Sequence, residues 1–538
     1  MAVCGPSSVS SGPSWGGEVV SPVAMRTRSR AAAGAGALAL GLDGPLVKGG
    51  CKDDRDMDAV VVAAVKAPPV QEKQARAPVA LTMVLDVSGS MGGDKLALVA
   101  KTVRFVVAQL TSHDYLGVVA YDSSVYEYLP LTRMDDEGKN RARAAANCLN
   151  AGSCTNLSGG LLAGLRQQRG LPTIVADGGE EAAAAGPMAV VGMANNNTAT
   201  FDDTPRKQVQ QGNPRKRKAV FAAPPPAHDV PHAAVRAVHL FTDGFANEGE
   251  VDAGKIAAEA SKLVDGPHAP VAVSTFGFGT NHNEAMLQAL ALGGGDYYFV
   301  ENEAAIARSF GEALGGLLTT CASKVVLEVS AKNARVESPL DKALATERLG
   351  PSLLRIVLDD LSAEERRDVP VRLTLPKGAA DATLAARVTY QDAAGIERTV
   401  DAAPIALPRV RDESGNVPNL AVLTQVLRLD VATAMDEAEA ALREGRSAAA
   451  CGILDAVQRR LVESAAAHLP DVQSLLGNVA ALKRHAQVDV RSAPKSMAAF
   501  KGSCRKQKGA QFLSPSKRLF ANLAAASAGG PASTQPNR

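Results

Sequence analysis

The chain has 538 residues, of which 46% are hydrophobic, enough for about two to four domains with real cores. Its 58 Lys and Arg against 56 Asp and Glu leave a net charge of +2, which excludes a general electrostatic pull toward nucleic acid or an acidic membrane. Seven scattered cysteines form neither paired zinc ligands nor a disulfide framework, the pattern of reduced thiols inside a cell, and no apolar run approaches a membrane span.

Residues 1–57 are rich in Ser, Gly, Pro and Ala and carry Arg26, Arg28 and Arg30. A transit peptide and a disordered leader both have this composition, and no folded element is expected there. Asp58 to Val65 then reads as a strand that ends at Lys66-Ala-Pro-Pro.

The run Leu81 to Leu85 is apolar throughout, the mark of a parallel strand buried on both faces. It stops at Asp86, and the chain turns through Ser88, Gly89 and Ser90. Asp94 is placed to cap a helix whose apolar face is Leu96, Val99, Val103, Val106 and Leu110. In open α/β sheets, ligands bind at loops on the carboxyl ends of strands. One carboxylate and two hydroxyls in such a loop make a hard-oxygen set suited to Mg²⁺, not to zinc or copper. Strands follow at Tyr115–Tyr121 and Val125–Leu131, with a helix at Arg141–Leu149. The loop Gly152-Ser-Cys-Thr155-Asn-Leu157 leads into a further helix.

Periodicity stops near Gln168 and resumes at Val235. Residues 170–232 read as a disordered insertion within the domain. They contain Thr204-Pro-Arg-Lys207 and the basic run Pro214-Arg-Lys-Arg-Lys218, a candidate nuclear-import signal. Ala237-Val-His-Leu-Phe-Thr-Asp243-Gly244 is a strand ending in an Asp-Gly turn. Strands at 270–280 and Asp296–Val300 alternate with helices at Asn283–Leu292 and Glu303–Leu318, predicting a doubly wound sheet. The glycines of Gly277-Phe-Gly279-Thr280 lack the Lys-Ser/Thr ending of a phosphate loop.

From 321 to 410 a period of two takes over: Val325, Leu327, Val329; Val371, Leu373, Leu375; Leu384, Ala386, Val388. This predicts a small β-sandwich. Residues 411–490 predict a helical hairpin or three-helix cap, with helices marked by Leu420–Leu442, Ile453–Leu461 and Leu475–Leu482. Residues 491–538 read as a disordered basic tail. It holds Ser514-Pro-Ser-Lys517 and the string Lys517-Arg518-Leu519-Phe520, similar to a cyclin-docking motif. Thr204 and Ser514 are therefore candidate sites for a cyclin-dependent kinase.

The pattern Asp86-x-Ser88-x-Ser90 resembles the metal-ion-dependent adhesion site (MIDAS) of von Willebrand factor A domains. In that resemblance Thr155 matches the metal-site threonine and Asp243 the second aspartate. The order of A domain (58–320), sandwich and helices is similar to plant and algal proteins with a "Vwaint"-type region. The fold class is thus α/β, a doubly wound, mostly parallel sheet followed by a β-sandwich and a helical unit. The resemblance implies Mg²⁺ or Mn²⁺ held by Asp86, Ser88, Ser90, Thr155 and Asp243, and a protein partner that offers Asp or Glu to it.

Several plant members of that family carry a RING finger and look like ubiquitin ligases. Such a finger needs eight Cys/His ligands, and residues 1–80 offer only Cys4 and Cys51. Ser88 and Ser90 have no evident histidine partner for a hydrolase. Two function classes stay open: a metal-dependent, non-catalytic scaffold, or a substrate receptor in a ubiquitin-ligase system. The expected location is intracellular, cytoplasmic or nuclear, with organelle targeting left open.

Overall fold

A computed structural model describes residues 27–30, 37–47, 56–69, 76–172, 230–231, 234–266, 270–301, 303–379, 381–407 and 418–507. Most of the 170–232 insertion lies outside these residues. So do Thr204, the basic run at 214–218, Ser514 and the Lys517–Phe520 string.

The described residues begin with three antiparallel strands: β1 (Thr27–Arg30), β2 (Ala39–Val47) and β3 (Met57–Lys66). It then enters an α/β unit through β4 (Val79–Asp86), a short 3₁₀ turn at Gly89–Met91, α1 (Asp94–Gln109), β5 (Tyr115–Tyr121) and β6 (Val125–Arg133). Next come α2 (Asp136–Asn147), α3 (Leu157–Gln168), β7 (Val235–Thr242) and α4 (Ala253–Val264). The unit closes with β8 (Val271–Phe278), α5 (Glu284–Ala289), β9 (Tyr297–Val300) and α6 (Glu303–Leu318). Its six strands lie in the order β6-β5-β4-β7-β8-β9. All neighbours are parallel except β5 and β6. The predicted doubly wound sheet is therefore present.

Alternation along β4 explains its unbroken apolar run. Leu81, Met83 and Leu85 pack on one side with Val99, Val103 and Val106 of α1. Val84 faces the other side, with Leu161 and Leu165 of α3. Helix α3 sits close to the sheet because it lacks side chains where it touches. A Cβ on Gly164 would lie 2.4 Å from Val84, and one on Gly160 would lie 2.3 Å from the Tyr121 ring. That approach fixes the loop preceding α3, which carries Thr155.

The β-sandwich is built from both ends of the chain. After α6 come β10 (Thr320–Lys332), β11 (Arg335–Pro339), β12 (Thr346–Gly350), β13 (Leu353–Val357) and β14 (Leu361–Ser362). The long strands β15 (Arg366–Leu375) and β16 (Ala382–Asp392) follow, then β17 (Glu397–Asp401) and β18 (Ile405–Leu407). One sheet has the order β1-β2-β3-β15-β11, the other β12-β13-β10-β16-β17. Strand β3 pairs with β15 from Met57↔Leu375 to Lys66↔Arg366.

Three expectations are corrected here. The strand at 57–66 does not belong to the α/β unit; it completes the sandwich. Residues 1–57 are not wholly an unfolded leader, since β2 pairs with β3. The sandwich therefore does not begin at 321, and the α/β unit is inserted within it. The cause of the misassignment is physical. Strand β3 is covered on both faces, by the sandwich core through Val61 and Val65 and by a helix through Val60 and Val62. It reads like a buried parallel strand while being antiparallel.

That helix is α7 (Leu420–Arg443), capped by Asn419, whose side chain accepts from the Ala421 and Val422 amides. It is followed by α8 (Ser447–Glu463), α9 (Pro470–Val488) and α10 (Ala493–Lys506). Gly445 takes φ 74 at the α7–α8 turn, where a side chain would be strained. The fourth helix corrects the expectation of a disordered tail from 491. Its Ala493, Met497 and Cys504 are buried in the helical core. Its basic residues have acidic partners far away in sequence: Lys495 meets Glu284 at 3.1 Å, Lys501 meets Glu439 at 2.8 Å, and Lys506 meets Asp296 at 3.1 Å. Helix α10 thereby ties the α/β unit to the helical unit.

Candidate functional site

Asp86 ends β4, Asp243 follows β7, and Thr155 stands before α3, so three loops meet at the carboxyl edge of the sheet. Backbone bonds hold the loops together: the Gly89 amide donates to the Ser153 carbonyl at 3.0 Å, and the Gly152 amide to the Val87 carbonyl at 2.6 Å. A Cβ on Gly152 would lie 1.9 Å from an Asp122 oxygen, so this loop needs glycine there.

Asp86 is wholly buried. One carboxylate oxygen accepts from the Ser88 amide at 2.8 Å and the other from the Thr242 hydroxyl at 2.6 Å. Burial pushes its pKa up from the ordinary carboxylate value; the bonds from Ser88 and Thr242 oppose this, and the charge of Asp243 adds to it. The hydroxyls of Ser88 and Ser90 lie 3.3 Å apart, and Ser90 Oγ donates to Asp243 Oδ1 at 2.7 Å. Thr155 is held by its amide, which donates to Asn247 Oδ1 at 2.8 Å. The side-chain position at Gly244 lies 3.8 Å from both Ser90 Oγ and Thr155 Oγ1. All five residues singled out in the sequence thus belong to one cluster.

The donors are two carboxylates and three hydroxyls. This is a hard-oxygen set of the kind that takes Mg²⁺ or Mn²⁺. Two buried acids beside one another also favour a cation between them. The chemistry of the residues fits a divalent ion. Among the described residues, no group of three or more His, Cys, Asp or Glu is arranged to hold a metal, so hydroxyls are indispensable to any such site.

Sequence reasoning missed four supporting residues. Thr242 steadies Asp86, Asn247 steadies Thr155, and Asp122 underlies the Gly152 loop. Lys95, on the first turn of α1, pairs with Asp243 Oδ2 and donates to the Ser90 carbonyl at 3.2 Å. Only Thr242, adjacent to Asp243, had a signal in the strand-end pattern.

The histidines near the sheet have other surroundings. His239 is packed against Phe276 and Phe310, and His282 shares a 2.7 Å hydrogen bond with the Tyr297 hydroxyl. A cleft of about 690 Å³ lies where the three units meet. Its charged groups pair across it, Lys506 with Asp296 and Asp359, and Arg505 with Asp341. It is a seam between units, bridged by these ion pairs.

Comparison with known proteins points the same way as the fold. A profile of the von Willebrand factor type A domain matches residues 81–171, and a second profile of the same description matches 194–299. The Arabidopsis thaliana E3 ubiquitin-protein ligase WAV3 is 38% identical over 110 residues, 18% of this chain and 15% of the relative. E3 ubiquitin-protein ligase WAVH1 of the same plant is 41% identical over 86 residues, 15% of this chain and 13% of the relative. The matches thus span well under a fifth of those two relatives. Among solved structures, a von Willebrand factor type A protein from Catenulispora acidiphila is similar at TM-score 0.59 and 15% identity, over 90% of this chain and all (100%) of that one. The ArnB paralog VWA2 from Sulfolobus acidocaldarius is similar at TM-score 0.50 and 12% identity, over 86% of this chain and 99% of that one. These likenesses extend beyond the α/β unit into the sandwich and helices. No helix among the described residues is long and apolar enough to cross a membrane.

Proposed function

We propose, from the von Willebrand factor type A domain that this chain carries, that it is a non-catalytic scaffold. It captures an acidic side chain of a protein partner through a divalent cation. The observation that carries this reading is the single cluster formed by Asp86, Ser88, Ser90, Thr155 and Asp243 at the sheet edge. These residues would hold Mg²⁺ or Mn²⁺. When bound, the cation supplies a Lewis-acidic centre that accepts a carboxylate oxygen. The chain's own part is positional. Thr242 and the Ser88 amide orient Asp86, Ser90 orients Asp243, and Asn247 orients the loop of Thr155. Because three of the five donors are neutral hydroxyls, the two acids supply no negative charge beyond that of a divalent ion, so the site does not repel a partner's Asp or Glu.

Calorimetry on the full chain with MgCl₂ and MnCl₂ tests the reading. The wild type binds one ion, and Asp86→Asn, which keeps the buried shape, loses it. Partner capture from extract disappears in chelator. A wild type that takes up no divalent ion, or capture undiminished in chelator, refutes it.

A second reading is favoured by the identity to the two named ligases. Here the chain is a substrate receptor in a ubiquitin-ligase system whose catalytic part lies on another chain. Co-purification of RING or conjugating-enzyme subunits supports it. Their absence at saturating bait leaves the scaffold alone.

A further inference from the structure

The oxygen cluster contains a fixed positive charge that the donor pattern does not include. Lys95 lies one residue into α1, and its ammonium pairs with Asp243 Oδ2 while donating to the Ser90 carbonyl at 3.2 Å. The other oxygen of Asp243 is taken by Ser90 at 2.7 Å. The lysine side chain is 46% exposed and the aspartate 1%. The ammonium therefore joins a buried acid of the cluster to its solvent-facing mouth.

We infer that Lys95 sets the net charge of the site, weakening its hold on the cation and strengthening its hold on the partner's acid. The inference rests on the cation-dependent reading above. Asp86 and Asp243 alone would cancel a divalent ion. With Lys95 included, the loaded cluster carries a net positive charge at its mouth. Like charges repel, so the ammonium lowers cation affinity. Opposite charges attract, so it favours an incoming carboxylate. A lysine present only to order the Ser90 loop would have a different signature: its removal would weaken cation binding.

The test uses the full chain as wild type, Lys95→Met and Lys95→Arg. Calorimetry measures Mg²⁺ affinity, and fluorescence anisotropy of a labelled hexaglutamate peptide at saturating Mg²⁺ measures acid capture. Lys95→Met should bind Mg²⁺ roughly tenfold tighter, the scale of one charge acting over a few ångströms of partly solvated protein. It should bind the peptide several-fold more weakly. Lys95→Arg, which keeps the charge, should stay near wild type in both. Unchanged or weaker Mg²⁺ binding in Lys95→Met overturns the inference, as does undiminished peptide binding. A wild type that binds no Mg²⁺ overturns the cation-dependent reading itself, and this inference with it.

Discussion

His239 should make the α/β unit sensitive to acid. It lies in the middle of β7, 1% exposed, and its Nδ1 has no hydrogen-bond partner. The Phe276 and Phe310 rings sit 5.3 and 5.6 Å away. Burial pulls its pKa from 6.5 down to about 3. In the unfolded chain the same ring takes a proton below about 6.5. Between those values the unfolded state binds more protons, so stability rises with pH. The contribution is complete above 6.5 and is lost as pH falls toward 3. At pH 5 the loss spans about 1.5 pH units, worth about 2 kcal/mol. His239→Leu fills a similar volume with a group that takes no proton, so this loss should vanish. Hydrogen exchange of the β7 amides, corrected for intrinsic rates, reads the opening free energy of this unit directly. The drop between pH 7.5 and 5.0 should be about 2 kcal/mol smaller in His239→Leu than in wild type. Equal drops in the two proteins would refute the linkage.

Other expectations follow from single contacts. Gly164→Ala places a methyl 2.4 Å from Val84 Cγ2 and should cost about 1–3 kcal/mol in denaturant unfolding. Asp114 is buried, and its carboxylate accepts from the Val79 amide at 3.0 Å, the Thr111 amide at 2.7 Å and Arg76. Burial raises its pKa, but these bonds outweigh that and hold it below the ordinary value. Its contribution thus stands at neutral pH and is lost as acid takes the pH through the depressed value; Asp114→Ala should cost about 3–5 kcal/mol in urea unfolding. Buried Arg428 donates to the carbonyls of Cys504, Arg505 and Asp368. Arg428→Met should leave the sandwich folded but open 493–506 to limited proteolysis. Phe245 is 57% exposed, two residues beyond Asp243; Phe245→Ser should weaken partner capture at unchanged Mg²⁺ affinity, as read by calorimetry and pull-down.

The α/β unit was legible because its strands are covered on both faces by neighbours close in sequence. Tyr115–Tyr121 and the helix ending at Leu318 follow from periodicity alone. Within the cluster, Asp86, Ser88 and Ser90 were legible from their short spacing, while Thr155 and Asp243, far along the chain, followed only from the resemblance to von Willebrand factor A domains. What escaped depends on partners remote in the chain. Strand β3 has a clear pattern, but nothing in that pattern names β15, some 300 residues away, as its neighbour. Helix α10 has the small and basic composition of a tail. It is ordered because Lys495, Lys501 and Lys506 find Glu284, Glu439 and Asp296. Lys95 sits in the helix predicted after Ser90, yet its aim at Asp243 depends on how that helix starts. Its N-cap is Gly93, at φ 78, and not Asp94 as the sequence implied.

The threading of one unit through another has a consequence for how the molecule can be divided. Imagine the chain severed anywhere between 172 and 230. The first piece would hold β3 and β4, the second β7 and β15. Neither piece could complete the α/β sheet or the sheet that joins β3 to β15. They would meet along two seams: seven residue pairs between β4 and β7, and ten between β3 and β15. The oxygen cluster would be divided as well, with Asp86, Ser88, Ser90 and Thr155 on one piece and Asp243 on the other. The protein is thus laid out as a split reporter. Cation uptake by two separately expressed halves would register their reassembly.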